Sequence, residues 1–461
     1  MPQSAEIRAR MQAEHLPDIA IDTFLHYHAQ LAAGETGLMH EADLAPVENL
    51  PDAEIIPAAV AAMGAAALPK TISLKLNGGL GTGMGLAKAK SLLPVKNDLT
   101  FLDIIARQAQ STGVPLLLMN SFSTRDDTLA ALAEYPDLQK GDLPLDFLQH
   151  KVPKLLQSNL AAATWPQNED LAWCPPGHGD LYTALLTSGL LEKLLEHGYE
   201  YAFVSNSDNL GAVIDAAILG HMIAEDIPFL MEVADRTPAD KKGGHLARRI
   251  ADGRLVLREI AQCPADSFGA FQDITRHRYF NTNSLWLHLP TLQHVLQEND
   301  GILGLPMIRN GKTLDPRDPD SVKVWQLETA MGSAIEVFAG ADAIRVPPTR
   351  FAPIKRCSDL LDVRSDNFVL TDDHRVVPNP ERTLGRCVIT LDDRYYKFVD
   401  DLEMRFPQGP PSLRACASLT IEGDVTFGAA VVATGNVALN NENDEGVTIP
   451  SGEVLSGVCR W

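Results

Sequence analysis

Glycines stand at 78, 79, 81, 83 and 85, directly after the apolar run TISLKLN (71–77). Neither a helix nor a strand interior accommodates glycines so densely. The stretch reads as a strand that ends in a long loop. Without Cβ atoms in the way, backbone N–H groups of that loop can converge on an anion. No G-K-[ST] follows at Walker A spacing, and the glycines alternate instead of reading G-x-G-x-x-G. Lys88, Lys90 and Lys96 come next. Cations beside a glycine loop, in a chain of formal net charge −21, point to a phosphate-rich ligand. The same charge excludes a general nucleic-acid binder, whose surface must attract polyanions.

The runs PLLLMNS (115–121), YAFVSNSD (201–208) and PFLMEV (228–233) are further short apolar segments that end in polar residues. Helical patterns lie between them, at 101–110, 181–197 and 212–224. This alternation predicts an α/β fold with a mostly parallel sheet covered on both faces. Ligands of such sheets bind beyond the carboxyl ends of the strands. NGG (77–79), NSF (120–122) and NSDN (206–209) sit at those ends.

With 461 residues the chain is expected to form more than one unit. Residues 1–70 form an N-terminal helical segment in this reading, with Met11, Ile19, Phe24, Leu25 and Leu31 at roughly helical intervals. A second, Ala-rich helix over 52–68 ends before Pro69. Residues 71–365 form the α/β unit. After about Arg364 helical periodicity fades. Val425, Val431 and Val437 then recur six residues apart, with Gly and Asn between, which predicts a β-helix-like unit over 366–461. The six cysteines are scattered without a C-x-x-C pair, as expected of reduced thiols in the cytoplasm. There is no apolar signal core, and the longest apolar stretch, 58–68, is too short for a bilayer. No membrane partner is expected.

Four more segments carry chemistry. In PPGHGD (175–180) prolines stiffen the entry and glycines flank His178, which is thereby aimed at a ligand rather than a core. In VSNSDN (204–209) Asp208 follows a strand and suits Mg²⁺, a hard ion that prefers carboxylate and phosphate oxygens. The competing role is an N-cap, by Asp208 or Asn209, for a helix from Ala212. In FNTNSLW (280–286) Asn281, Thr282 and Asn283 offer the groups that sugar hydroxyls need. In RFAPIKRCSDLL (350–361) Lys355 follows Pro353. No H-E-x-x-H, G-x-S-x-G or kinase set occurs, so no covalent nucleophile is signalled.

In this order, and with LMNSF (118–122), FLQ (147–149), ADKKGGHLA (239–247) and QLETAMGSAI (326–335), these segments resemble the eukaryotic-type UDP-glucose pyrophosphorylase (UTP–glucose-1-phosphate uridylyltransferase) family. The resemblance runs from about Thr71 onward. It implies a Rossmann-like nucleotidyltransferase domain and a C-terminal left-handed β-helix-like domain. It implies the reversible, Mg²⁺-dependent formation of UDP-glucose and pyrophosphate from UTP and glucose 1-phosphate. By the same resemblance, Leu76, Asn77, Gly78 and Gly79 contact the nucleotide through the loop backbone, and Gln149 and Gly177 recognise uracil. Lys90 holds the UTP phosphates and His178 contacts the sugar phosphate. Asn206 and Ser207 lie near the glucosyl phosphate, and Asn283 and Glu259 serve the sugar. Asp208 holds Mg²⁺, and Lys355 is the principal catalytic cation. Two departures stand out. Ser284 replaces a frequent second Asn, so hydroxyl recognition is expected to differ. The chain stops at Trp461, so a monomer or small homo-oligomer is expected. Rival readings are a uridylyltransferase for N-acetylhexosamine or other sugar 1-phosphates, and a nucleotide-sugar sensor without catalysis. Gly83 and Asn77 favour glucose over N-acetylhexosamine and leave galactose 1-phosphate open, and Lys90, Asp208 and Lys355 favour catalysis over a sensor.

Overall fold

Strand Thr71–Asn77 is buried along nearly its whole length and pairs in parallel with two neighbours, Tyr201–Asn206 and Leu116–Asn120. The computed structural model describes residues 2–443 and 445–461. Asp146–Leu148 extends the sheet in parallel beyond Leu116–Asn120. On the other side Tyr279–His288 is antiparallel both to Tyr201–Asn206 and to Phe229–Asp235. Asp342–Arg345 pairs in parallel with Phe229–Asp235. Leu44–Ala45, His245–Arg249 and Leu255–Arg258 complete a ten-stranded sheet among the described residues. The central sheet is mostly parallel, as the alternating pattern predicts. Leu44–Ala45, His245–Arg249 and Leu255–Arg258 pair antiparallel at one side, and the antiparallel strand in the centre is Tyr279–His288, whose Leu285, Trp286 and Leu287 are fully buried. Its polar start, FNTN, hid a central strand from the pattern.

Pleat alternation builds a core on each face. Ile72, Leu74, Ala202 and Val204 pack with Leu181, Tyr182 and Leu185 on one side. Phe203, Leu230, Trp286 and Ile344 pack with Ile218, Leu219 and Met222 on the other. The helix expected over 101–110 runs Phe101–Thr112, started by a reciprocal Thr100–Asp103 capping box and stopped by Gly113 at φ 71°. The helix expected over 181–197 is two, Asp180–Thr187 and Leu190–Glu196, because Gly189 takes φ 70°. The helix expected from Ala212 starts at Ala216, where Asp215 accepts from the N–H groups of Ala217 and Ile218. Neither Asp208 nor Asn209 is its cap.

At the N-terminus, Pro2–Ala13 and Asp18–Ala32 bury Ile7, Met11, Ile21 and Phe24 against Val152, Leu155 and Leu327. The Ala-rich helix is Ala58–Ala67, shorter than the expected 52–68. It crosses Ala216–Ala224 at two glycines. A Cβ on Gly64 would lie 1.9 Å from the Ala216 carbonyl oxygen, and one on Gly220 1.9 Å from that of Val60.

In the C-terminal region Val388–Leu391, Cys416–Glu422, Val432–Asn440 and Val454–Arg460 form a parallel sheet, and Val425–Phe427 pairs in parallel with Val447–Ile449. Val425, Val431 and Val437 all point into its core. That core also takes in Met84, Leu93, Val95, Phe101 and Ile104, so the chain just after the glycine loop packs on the C-terminal strands. Lys96 belongs to this junction. Its ammonium is buried and donates to the carbonyls of Val363 and Ser365 at 3.1 and 2.5 Å, at the carbonyl end of helix Cys357–Arg364. The expectation that Lys96 serves the phosphate pocket is therefore corrected. Among the described residues no helix is long and apolar enough to cross a membrane.

Gly220→Ala is expected to destabilise the fold by about 1–3 kcal/mol, the usual range for overpacking. Thermal unfolding checks this, and an unchanged midpoint would mean that the two helices separate without cost.

Candidate active site

Four parallel strands deliver polar residues to one edge of the sheet. Asn77 ends Thr71–Asn77 and Gly78 and Gly79 follow it, Ser121 follows Leu116–Asn120, Gln149 follows Asp146–Leu148, and Asn206 ends Tyr201–Asn206 with Ser207 and Asp208 after it. The ends are laced together, since Ser207 N–H donates to Leu76 O at 3.0 Å and Gln149 N–H to Asn120 O at 2.8 Å. Tyr279–His288 runs the opposite way, so its start emerges at the same edge. There its pairing jumps from Glu232↔Ser284 to Val233↔Asn281, leaving Thr282 and Asn283 in a bulge. Asn283 takes φ 56°, which asparagine tolerates better than most residues. The Asn281 amide donates to Asn283 Oδ1 at 2.7 Å, and Asn283 N–H returns a bond to Asn281 Oδ1 at 2.9 Å. Ser284 is fully buried. Its side chain therefore lies beneath the bulge that carries Asn283.

Most of the remaining predicted residues are linked by short contacts. Ser121 Oγ donates to Gly78 O at 2.9 Å, and a Cβ on Gly78 would meet Gln149 Oε1 at 3.0 Å. Gln149 Nε2 donates to Gly177 O at 3.0 Å. Gly177 takes φ 80°, and a Cβ there would lie 2.5 Å from Thr329 O, so this position requires glycine. Met331 N–H donates to His178 Nδ1 at 3.0 Å. A Cβ on the adjoining Gly332 would meet the Asn281 amide at 3.0 Å. Asn281 N–H donates to Gly244 O, and Gly244 leaves room for the Glu259 carboxylate, 2.6 Å from where a Cβ would be. Burial pushes the Glu259 carboxyl up, and the Lys355 ammonium opposes this. Ile354 N–H donates to Asp208 O at 3.3 Å, Lys90 Nζ lies 2.5 Å from Asp208 Oδ2, and Lys90 N–H donates to Gly79 O at 3.0 Å.

The His178 bond decides a tautomer. A backbone N–H only donates, so Nδ1 is unprotonated and Nε2 carries the hydrogen. Burial pushes the imidazole pKa down to about 4. His178 is thus a neutral N–H donor at physiological pH. Lys355 is exposed, with Nζ 5.9 Å from the centroid of the Phe351 ring. The side chain of Asn77 turns inward to Asn120 and Thr128, which leaves its backbone for the loop. Lys90 and Asp208, assigned to different ligands by the sequence, here neutralise each other. Lys88 is exposed.

Several residues that matter were given another role or none. Asn209 accepts from Ala352 N–H at 2.9 Å and donates to Arg350 O at 3.1 Å, which holds the Lys355 segment against the strand end. The Arg350 guanidinium grips Glu232 with two bonds, of 2.8 and 2.6 Å, below the crevice. Met331 and Gly332 lie in the motif QLETAMGSAI and Gly244 in ADKKGGHLA, so their signal was present but without a role.

Among the described residues no group of three His, Cys, Asp or Glu side chains could hold a metal ion. One carboxylate at a strand end suits Mg²⁺ only when ligand phosphates and water complete the coordination, which is the common arrangement for that ion. Asp208 fits that arrangement and not an all-protein cage.

Between about pH 4 and 6.5 the unfolded chain binds a proton at His178 that the folded chain refuses, so stability falls as pH drops through this window. Burial also holds down His245 and His277, which add to the slope. His178→Gln is expected to flatten part of the dependence of the thermal midpoint on pH. A slope unchanged by this substitution would rule out His178 as a source.

The family model of UTP–glucose-1-phosphate uridylyltransferase matches residues 21–433. The UTP–glucose-1-phosphate uridylyltransferase of Solanum tuberosum is 41% identical over 397 residues, which is 84% of this chain and 80% of the relative. A solved UDP-glucose phosphorylase from Trypanosoma brucei is 45% identical, with a TM-score of 0.90 and 100% of both chains covered. A variant of the Leishmania major UDP-glucose pyrophosphorylase, solved in complex with UDP-glucose, is 44% identical, with a TM-score of 0.91 over 100% of this chain and 99% of that one.

Proposed function

The chain belongs to the UTP–glucose-1-phosphate uridylyltransferase family, and from that membership we infer its reaction. A phosphate oxygen of glucose 1-phosphate attacks the α-phosphorus of UTP. A new P–O bond forms, the bond from the α-phosphorus to the bridging oxygen breaks, and pyrophosphate leaves with that electron pair. UDP-glucose is the other product, and the step is reversible.

The attacking phosphate already carries its negative charge near pH 7, so no strong base is required. What the site must do is align two anions and offset their repulsion, about 4 kcal/mol for unit charges about 4 Å apart near a protein surface. Catalysis of this kind is positioning and electrostatics. In the proposed assignment the backbone of Leu76, Asn77, Gly78 and Gly79 cradles the nucleotide, and Gln149 and Gly177 read the uracil. Lys90 takes the UTP phosphates. His178 donates its Nε2–H to the sugar phosphate, beside Asn206 and Ser207. Asn283 and Glu259 receive the sugar hydroxyls. Lys355 is the principal catalytic cation. Asp208 would hold Mg²⁺, which when bound draws negative charge from the phosphates. One observation supports this assignment: Lys90 pairs with the Asp208 carboxylate, and the Asp208 backbone carbonyl accepts from Ile354 N–H, so the segment that carries Lys355 joins the same strand end.

We also infer that the parallel C-terminal strands are rungs of a short left-handed β-helix, a reading supported by their six-residue valine spacing. The unpaired state of all six cysteines supports a reducing, cytoplasmic setting. A monomer or small homo-oligomer remains the proposed assembly.

Lys90→Ala and Lys355→Ala are each expected to lower kcat by about 10²–10³, the scale for one lost transition-state donor. Pyrophosphate release from UTP and glucose 1-phosphate measures this, and wild-type turnover in either variant removes that lysine from the chemistry. Asp208→Asn is expected to weaken Mn²⁺ binding to the nucleotide-bound protein. Unchanged binding would place the metal elsewhere.

A further inference from the structure

Ser73 and Lys75 lie on strand Thr71–Asn77 but face away from the substrate crevice. They line a cavity of about 290 Å³ between helix Phe101–Thr112 and residues 212–214. Gln108 and Ser111 stand along the helix side. Asp373 and Arg375 close the far end, from the turn between strands Phe368–Leu370 and Val376–Pro378. The walls include Ile105, Ala109 and Ile214. Small-molecule sites commonly have this size and this mix of apolar walls with a few polar groups.

Lys75 is the unusual member. It is only 3% exposed. Its ammonium donates to Ser205 Oγ at 2.6 Å and to Ala212 O at 2.7 Å, and it lies 5.3 Å from the centroid of the Phe203 ring. Both acceptors are neutral, and an ammonium has three donors. The neighbouring carboxylate, Glu232, is already gripped by Arg350. Burial first, and then the Arg350 charge, push the Lys75 pKa down to about 7 against the pull of Glu232. Asp373 is likewise taken, by Arg375 at 2.7 Å. A buried cation without an anion of its own is costly and is normally paired. Here it borders open space, with the Arg375–Asp373 ion pair at the other end.

We propose that this cavity is a second binding site, separate from the substrate crevice, for a small metabolite bearing a phosphate or carboxylate group that pairs with Lys75. Its hydroxyl or amide groups would meet Gln108 and Ser111, and Arg375 would bind at the mouth. Lys75 lies two residues before Asn77, and Ser205 immediately precedes Asn206. Occupancy would therefore tie together two strands that end in the crevice.

The test follows the reactivity of the Lys75 amine in the full-length protein. Its acylation by a small reagent is measured by mass spectrometry as a function of pH, with inorganic phosphate or acetate as the probe. Without a probe the amine is expected to titrate near 7. A bound anion is expected to raise this by about 1–3 pH units. A response to phosphate alone, or to acetate alone, identifies the head group. Arg375→Ala should weaken the response severalfold without changing turnover, and Ser111→Trp, which fills the cavity, should abolish it. These two variants decide the matter even if Lys75→Met does not fold. Two results overturn the proposal: no response to either probe, or a response that persists undiminished in Ser111→Trp.

Discussion

Strands Thr71–Asn77, Leu116–Asn120, Asp146–Leu148 and Tyr201–Asn206 pair in parallel, so all four must end on the same side of the sheet. Parallel pairing cannot be made by tight hairpins and needs long crossovers. Residues far apart in the chain, such as Asn77, Gln149 and Asp208, thereby reach one edge. Loops there are free to be polar because the strands beneath bury both faces. The bond from Ser207 N–H to Leu76 O follows from this register, and it sets Asp208 beside the glycine loop.

The crevice also depends on what lies beneath its floor. Arg350 and Glu232 form a buried, two-bonded ion pair, and Trp286 donates to the same carboxylate at 2.9 Å. Breaking one partner of such a pair would leave an uncompensated charge in the core, so the arrangement is held firmly. Arg350 opens the segment that ends in Lys355, and Asn209 clips that segment to the end of Tyr201–Asn206. The exposed ammonium of Lys355 thus rides on a rigid base. The glycine loop is anchored from the other side, because the residues that follow it pack into the C-terminal core.

Much of this was legible in the sequence. Apolar runs that end in glycine, asparagine and aspartate mark strand ends in a parallel sheet, because strand length and polarity are local properties. The six-residue valine spacing marked inward positions for the same reason. What escaped was non-local. Tyr279–His288 reads as polar at its start because a bulge lifts Thr282 and Asn283 out of the ladder, and only pairing with Phe229–Asp235 creates that bulge. Lys96 reads as a third phosphate cation, yet it satisfies carbonyls at a helix end that the chain reaches more than two hundred residues later.

The sequence by itself determined the chemistry that the chain can carry. Glycines that clear a backbone, lysines near them, a histidine framed by glycines and an aspartate after a strand are residue types whose capacities do not depend on context. The tertiary structure alone decided how those capacities are used. It made His178 a neutral donor, because Met331 N–H occupies Nδ1 and burial disfavours the charged ring. It paired Lys90 with Asp208, and it left Lys75 buried with no ion-pair partner among the described residues. Protonation state and ion pairing follow from solvent exclusion and from neighbours brought together by folding, and neither is written in local sequence.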